Sequence, residues 1–459
     1  MTAHGFKELD QGTSELVLAA HFNTYGTRLV TGSADHRIRV FDKGENESWT
    51  QVDVWRGHNG EVLDVKWNGA TVGQIIGSIG QDLKLKIWQE DPSQPHSSGR
   101  CFPEIFSQSS PNLVLYVSID FKNIRHETVL ALVTRDGMLS LHEPRKSDIF
   151  DDWIQADLIW VCGDRMPRGR ETSFRVSFQQ SQRPNITAVL SGLDEKALSL
   201  AVVGMDTVKI FRIAKPDDDS SSYRFHNPVT EITIPRNTQG SLIRDVAWSP
   251  AIWLTYDLIA TASSDGYLRL YEITVPVTSG QTRSRSKAGD NNPQQALTSA
   301  MKSAMATAPT MSPFPTSNGK SLVHRSPHSG ITSGLHASTT TTPTPGPGGG
   351  PPSVGLPGTS ALARLSETSA YAQSTQIPHN VSLVQEIRQE GVWKVEWLRN
   401  GATLVSTGDE GRVCLWRRGI EGVWREFADF GPEMEGEGEE EGEREDRGER
   451  DGVGVGGEE

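Results

Sequence analysis

The feature that most restricts this chain is a turn that recurs at a fixed distance from an aromatic residue. Across residues 55–88, WRGHNGEVLDVKWNGATVGQIIGSIGQDLKLKIW, apolar positions recur at Val62, Val65 and Trp67, at Ile75 and Ile76, and at Leu83, Leu85 and Ile87. That pattern predicts three short strands in a row. Gly80-Gln81-Asp82 turns the chain between the last two, and Trp88 stands six positions after Asp82. The same offset separates Asp35 from Phe41, Asp136 from His142 and Asp265 from Tyr271, while Asp206 reaches Phe211 with one residue fewer. Repetition of this kind predicts an all-β chain made from copies of one small sheet.

Six copies are legible. The first covers strands near 16–22, 28–31 and 38–41 with an outer strand at 49–55, and the second is the unit above. The third closes on His142 instead of an aromatic, and the fourth, at 174–211, is weaker still. The fifth spans 242–271, and the sixth reads 392–397, 403–406 and 413–416 with its own outer strand near 423–430. The expected division is residues 1–277 for units one to five, 278–378 for an insertion, 379–430 for unit six and 431–459 for a tail.

The insertion is rich in Ser, Thr, Pro, Gly and Ala with hardly an aromatic. It cannot bury enough apolar surface to offset the entropy of ordering, which predicts disorder. Ser312, Ser326, Thr342 and Thr344 each precede a proline and are candidate sites for proline-directed phosphorylation; a plain spacer remains the alternative. The basic cluster Arg283, Arg285 and Lys287 solvates the linker or serves nuclear import. The tail is an acidic Gly-Glu run whose charges repel one another, and solubility is its default role.

The formal charge of the 459 residues is -13, and thirteen acidic residues against three Arg after position 432 supply most of it. The remainder offers no broad basic face, which excludes direct nucleic-acid binding by the folded part. Cys101, Cys162 and Cys414 are odd in number, far apart and without metal-ligand spacing. The segment MTAHGFKELDQ has no apolar signal core, and no run reaches the roughly 20 apolar residues of a membrane span. A soluble, intracellular chain is expected, so the sequons at Asn46, Asn185 and Asn380 are read as chance matches. No phosphate loop, metal cluster or nucleophile-base arrangement stands outside the repeat, so no catalytic, metal or cofactor residue is assigned and no enzymatic activity is expected.

Gly57-His58, the turn Asp82 and the closing Trp88 together resemble the WD-repeat unit. The resemblance implies a structural network in which His58, Ser78 and Trp88 satisfy the buried Asp82, with Asp35 and Asp265 as the turn carboxylates of their own units. A buried carboxylate is destabilising unless something donates to it. Six units of about four strands predict a six-bladed β-propeller.

The first recognisable strand already serves as an inner strand and the sixth unit supplies its own outer strand, so the ring is expected to be open. The expected seam places Leu16, Leu18 and Ala20 on one side and Trp393, Val395 and Trp397 on the other, as a partner-binding face. Completion by residues 6–9, or the two faces simply meeting, is the alternative.

The runs YGTRLVTGSADHRIRVFDKGENESW, GQIIGSIGQDLKLKIWQE and VWKVEWLRNGATLVSTGDEGRVCLW, with HEPRKSDIFDDW after the third unit, are similar to the Seh-type nucleoporin, a relative of the Sec-type propeller of vesicle coats. This resemblance implies a scaffold subunit of the nuclear pore's Y-shaped complex, at the nuclear envelope, whose open propeller is completed in trans by a blade from a helical-solenoid nucleoporin. It also implies other Y-complex subunits as partners, and a peripheral place at the vacuolar or lysosomal surface in a complex that regulates the TOR kinase. Two other functions stay open: a vesicle-coat cage propeller, and a substrate receptor of a ubiquitin ligase. The second lacks the Trp-Asp-x-Arg that a cullin adaptor requires, since Gln89 and Arg417 follow Trp88 and Trp416.

Overall fold

The computed structural model describes residues 9, 11–276 and 377–430, apart from 47, 70–73, 125, 148, 168, 170, 214, 216–221, 236–239 and 251–254. Most of the insertion, with Ser312, Ser326, Thr342 and Thr344, lies outside the described residues, as do the acidic tail and residues 6–8.

The described strands form six four-stranded antiparallel sheets, each in chain order. Blade one holds β1 (Val17–Phe22), β2 (Arg28–Ser33), β3 (Arg37–Lys43) and β4 (Trp49–Arg56). Blade two holds β5 (Val62–Trp67), β6 (Ile75–Gly80), β7 (Lys84–Gln89) and β8 (Glu104–Ser109). Blade three follows with β9 (Tyr116–Ile124), β10 (Glu127–Thr134), β11 (Met138–Lys146) and β12 (Ile149–Trp160). Blade four has β13 (Phe174–Phe178), β14 (Leu198–Gly204), β15 (Thr207–Ile213) and the short β16 (Thr230–Thr233). Blade five comprises β17 (Ile243–Trp248), β18 (Asp257–Ser263), β19 (Tyr267–Thr274) and β20 (Asn380–Arg388), and blade six comprises β21 (Lys394–Trp397), β22 (Thr403–Thr407), β23 (Val413–Arg418) and β24 (Trp424–Phe430). The architecture is a six-bladed β-propeller.

The recurring turn has a conformational basis. The residue after the turn acid takes a left-handed backbone in several blades: His36 (φ 70), Leu83 (φ 65), Gly137 (φ 87) and Gly266 (φ 80). Glycine adopts that conformation without a Cβ clash, whereas His36 and Leu83 are held in it by the hairpin around them.

The long interruption falls inside a blade. β20 pairs with β19 from Tyr267↔Arg388 to Thr274↔Asn380, so residues 380–388 complete blade five and do not open blade six. A hairpin between outer strands can hold a long excursion, because loop-closure entropy grows only slowly with length.

Blades meet through apolar clusters. Buried residues of blades one and two pack together around Val40, Trp55, Val65 and Trp67. Equivalent clusters join two to three, three to four, four to five and five to six. β1, β5, β9, β13, β17 and β21 lie side by side in that order as the inner strands. Among the described residues, no such cluster joins blade six to blade one.

Candidate functional site

Blade two assembles the complete polar network. The His58 Nδ1 lies 2.8 Å from Asp82 Oδ1, and its Nε2 lies 2.8 Å from Ser78 Oγ. Trp88 Nε1 donates to the same Ser78 Oγ at 2.8 Å, while the Asn59 N–H donates to Asp82 Oδ2 at 3.0 Å. Burial lowers the His58 pKa, with Asp82 pulling the other way, and the ring is neutral. A neutral imidazole that donates from Nδ1 to the carboxylate must accept at Nε2. The bonds therefore run in one direction, from the Trp88 indole to Ser78, from the Ser78 hydroxyl to His58, and from His58 to Asp82. Burial pushes the Asp82 pKa up, but the Asn59 and His58 hydrogen bonds outweigh it and hold the carboxyl below its ordinary range. Gly80 makes room for this, since a Cβ there would sit 2.5 Å from His58 Cγ.

Other blades solve the same problem with different donors. In blade one, Arg39 binds Asp35 Oδ2 at 2.5 Å and Ser33 Oγ at 2.8 Å. In blade five, Arg269 contacts Asp265 Oδ2 at 2.6 Å and Ser263 Oγ at 3.2 Å. Burial opposes ionisation of Asp35, yet Arg39, Ser33 and the Arg37 N–H together hold its carboxyl well below the carboxylate range. In blade six, Gln389 stands where His58 stands in blade two. Ser406 Oγ donates to Gln389 Oε1 at 2.5 Å and accepts from Trp416 Nε1 at 2.7 Å. Sequence reasoning from the Gly-His pair missed these donors. An Arg four residues after the turn Asp was the available signal for two of them.

Among the described residues, blade four carries no version of the network around its turn. Its anchor is Arg212, which pairs with Asp257 of blade five across side chains 0% and 2% exposed. Gln179 and Asn185 also donate to that carboxylate, at 2.9 and 2.7 Å.

The seam divides the expected partner-binding residues. On blade one, Leu16 is 74% exposed and Ala20 is exposed, while Leu18 is half-buried. Phe22, also on this side, is 49% exposed and its ring leans on Trp49 at 5.7 Å. Gln11 lies on the same blade, accepting from Thr31 Oγ1 at 2.8 Å.

On blade six the expected face is reversed. Val395 and Trp397 are buried in the cluster shared with blade five, and Trp397 Nε1 donates to Ala247 O at 3.1 Å. Trp393 is half-exposed, but Arg244 of blade five stacks on it at 3.6 Å. Strand alternation separates two faces without saying which one meets the neighbour. The face turned to the seam carries Glu396, Val405, Val413 and Leu415, all incompletely buried, with Phe427 49% exposed. The same face of blade five, at Ala260, Leu268 and Leu270, is 0% exposed because blade six covers it. Across the seam, the Arg399 guanidinium stands 5.9 Å from the Tyr25 ring.

Among the described residues, no group of His, Cys, Asp or Glu is arranged to hold a metal ion, and no helix is long and apolar enough to cross a membrane.

The WD domain, G-beta repeat family matches residues 6–42 and 382–417. The second match begins in the outer strand of blade five and ends in β23, so the sequence repeat straddles two blades. The same stagger brings His58 and Gln389 from the end of one blade into the network of the next. Nucleoporin SEH1 of Chaetomium thermophilum is 27% identical over 91% of this chain and 93% of its own length. Nucleoporin SEH1 of Saccharomyces cerevisiae is 28% identical over 62% of this chain and 75% of its own length. Protein transport protein sec13 of Aspergillus clavatus is 26% identical over 55% of this chain and 78% of its own length. The chain is a six-bladed β-propeller with two WD-repeat matches, similar to the Seh1 nucleoporins and, as a second group, to the Sec13 transport proteins.

Proposed function

We propose that this protein is a non-enzymatic scaffold subunit of the nuclear pore, in its Y-shaped complex, and that a helical-solenoid nucleoporin completes its open propeller in trans. The observation that carries this is the uncovered seam. Five junctions are sealed by buried apolar clusters, while among the described residues the seam side of blade six and the inner strand of blade one, at Ala20 and Phe22, remain incompletely covered; behind that strand Leu29 and Phe41 are 8% and 2% exposed. A rigid propeller with one unfilled wedge is suited to take a sheet from another chain, which would add apolar contact and edge hydrogen bonds. The similarity to Seh1 nucleoporins supports the nuclear pore as the place of assembly. A second pool in a TOR-regulating complex at the vacuolar or lysosomal surface belongs to the same proposal, with the same seam used for a different solenoid. The similarity to Sec13 favours a vesicle-coat cage as the second possibility.

The test is purification of the tagged full-length protein from its own cells, with mass spectrometry of stable partners. A helical nucleoporin and other Y-complex members are expected. Coat-cage proteins in their place would move the protein to the vesicle coat, and cullin adaptors or no stable partner would overturn both. Phe22→Asp combined with Leu415→Asp is expected to abolish recovery of the partner while the propeller still folds.

A further inference from the structure

A repeating hydrogen bond ties the inner strands together. At each sealed junction, a side chain on one inner strand accepts a backbone N–H from the next. His21 Nδ1 accepts from Trp67 at 3.1 Å, Asp64 from Ile119 at 3.3 Å, Asp120 from Phe178 at 2.7 Å, Ser177 from Trp248 at 3.3 Å, and Asp245 from Val395 at 3.1 Å. The acceptors use two register positions. His21, Asp120 and Ser177 share one and reach the aromatic residue of the next strand. Asp64 and Asp245 stand two residues earlier and reach its aliphatic residue.

Blade six presents the same device without a donor. Its earlier position is Lys394, whose ammonium has no lone pair, and its later position is Glu396. Among the described residues the Glu396 side chain makes no hydrogen bond, and the Phe22 N–H at the matching place on blade one has no acceptor. The donor strands also share a sequence. Trp67, Phe121, Phe178, Trp248 and Trp397 are each at most 7% exposed, and a Val or Ile stands two residues before each.

We infer that Glu396 is the sixth inter-blade clamp, and that it accepts the backbone N–H of the aromatic residue in a Val/Ile-x-aromatic triplet on a β-strand of a second protein chain. The chain's own first strand is the competing occupant. It is not seated: Phe22 is 49% exposed with its ring turned to Trp49 of its own blade, and Ala20 stands where the other blades have Val or Ile. An inserted strand satisfies Glu396, and its sheet covers both seam faces at once. The inference rests on the trans completion proposed above; it adds the atom on blade six that takes the strand and the sequence that the strand carries.

The experiment uses the full-length protein in its own cells with p-benzoylphenylalanine at position 396, and maps the photo-cross-link by mass spectrometry. The expected cross-link lies on a second chain, at or beside the aromatic of such a triplet. A cross-link to residues 20–22 of this chain, to a helix or to a strand without the triplet overturns the inference, as does none from protein that retains its partners. With the purified cross-linked partner as probe, Glu396→Ala is expected to weaken binding about ten- to a hundredfold, the range of one charge-assisted hydrogen bond. Glu396→Gln, which keeps an acceptor oxygen, should weaken it by less than about threefold. Neither variant is expected to move the melting temperature of the isolated chain. If Glu396→Ala binds like the parent, the clamp fails while trans completion stands. If the unmodified protein recovers no second chain, trans completion fails and the clamp with it.

Discussion

Removal of one oxygen atom, by Ser78→Ala, isolates the energetic role of the blade-two network. Ser78 is 0% exposed, and its Oγ is the hub for two partners that are themselves buried, His58 at 1% and Trp88 at 4%. Both bonds are 2.8 Å long, and the Asp82 bond on the far side of the imidazole is untouched by the change. The variant leaves the Trp88 N–H without its acceptor and His58 Nε2 without its donor. A buried polar group left unpaired costs about 1–3 kcal/mol, so the two together predict a loss of roughly 2–6 kcal/mol. Alanine is smaller than serine by a single atom, and a cavity contributes little beside this. Urea unfolding of the purified full-length protein, followed by tryptophan fluorescence, reads the loss as a lowered midpoint. With a slope of about 3 kcal/mol/M, the shift is on the order of 1 M. Ser107→Ala, on the exposed part of β8, is the control and should stay within about 0.5 kcal/mol of the parent. If Ser78→Ala matches that control, the network does not hold the blade, and the direction assigned to its hydrogen bonds loses its support.

Asp257→Ala should destabilise more, by about 3–5 kcal/mol, because it leaves Arg212 buried and uncompensated; a thermal melt shifted no further than the Ser107 control would contradict this. Asp35, held below the ordinary carboxylate range by Arg39 despite its burial, contributes stability that is present above about pH 4 and lost as the pH falls. Asp35→Asn should therefore flatten the acid limb of a stability-versus-pH curve, and an unchanged limb would count against the Arg39 pairing. Burial pushes the His142 pKa down to about 4. Its contribution is present above the unfolded value of about 6.5 and is lost as the pH falls toward 4, on the order of 3 kcal/mol in all. His142→Phe, which restores an aromatic closing residue, should remove that slope in urea melts between pH 7 and 4.

The six sheets were legible because each unit repeats its own local rules. Alternation marks the strands, and a turn acid followed by a left-handed residue marks the hairpin between the second and third. Both depend on neighbours in sequence, so Asp82 and Trp88, or Asp265 and Tyr271, could be placed from spacing alone. The blade-two network was legible for the same reason, since its four members carry distinctive side chains. The donors Arg39, Arg269 and Gln389 were less visible, because a carboxylate or hydroxyl accepts a hydrogen bond equally well from several residue types. Blade five's outer strand was misplaced across the insertion, because β20 has no turn signal of its own and only its pairing with β19 assigns it.

By itself, the sequence determined the number of blades, the direction of the chain through each and the residues of the blade-two network, since these follow from periodicity and short-range spacing. Only the tertiary structure decided which side of each blade faces its neighbour. A strand's period of two separates its faces without labelling them, so Val395 and Trp397 turned out to seal the junction with blade five, while Glu396 and Leu415 were left facing the seam.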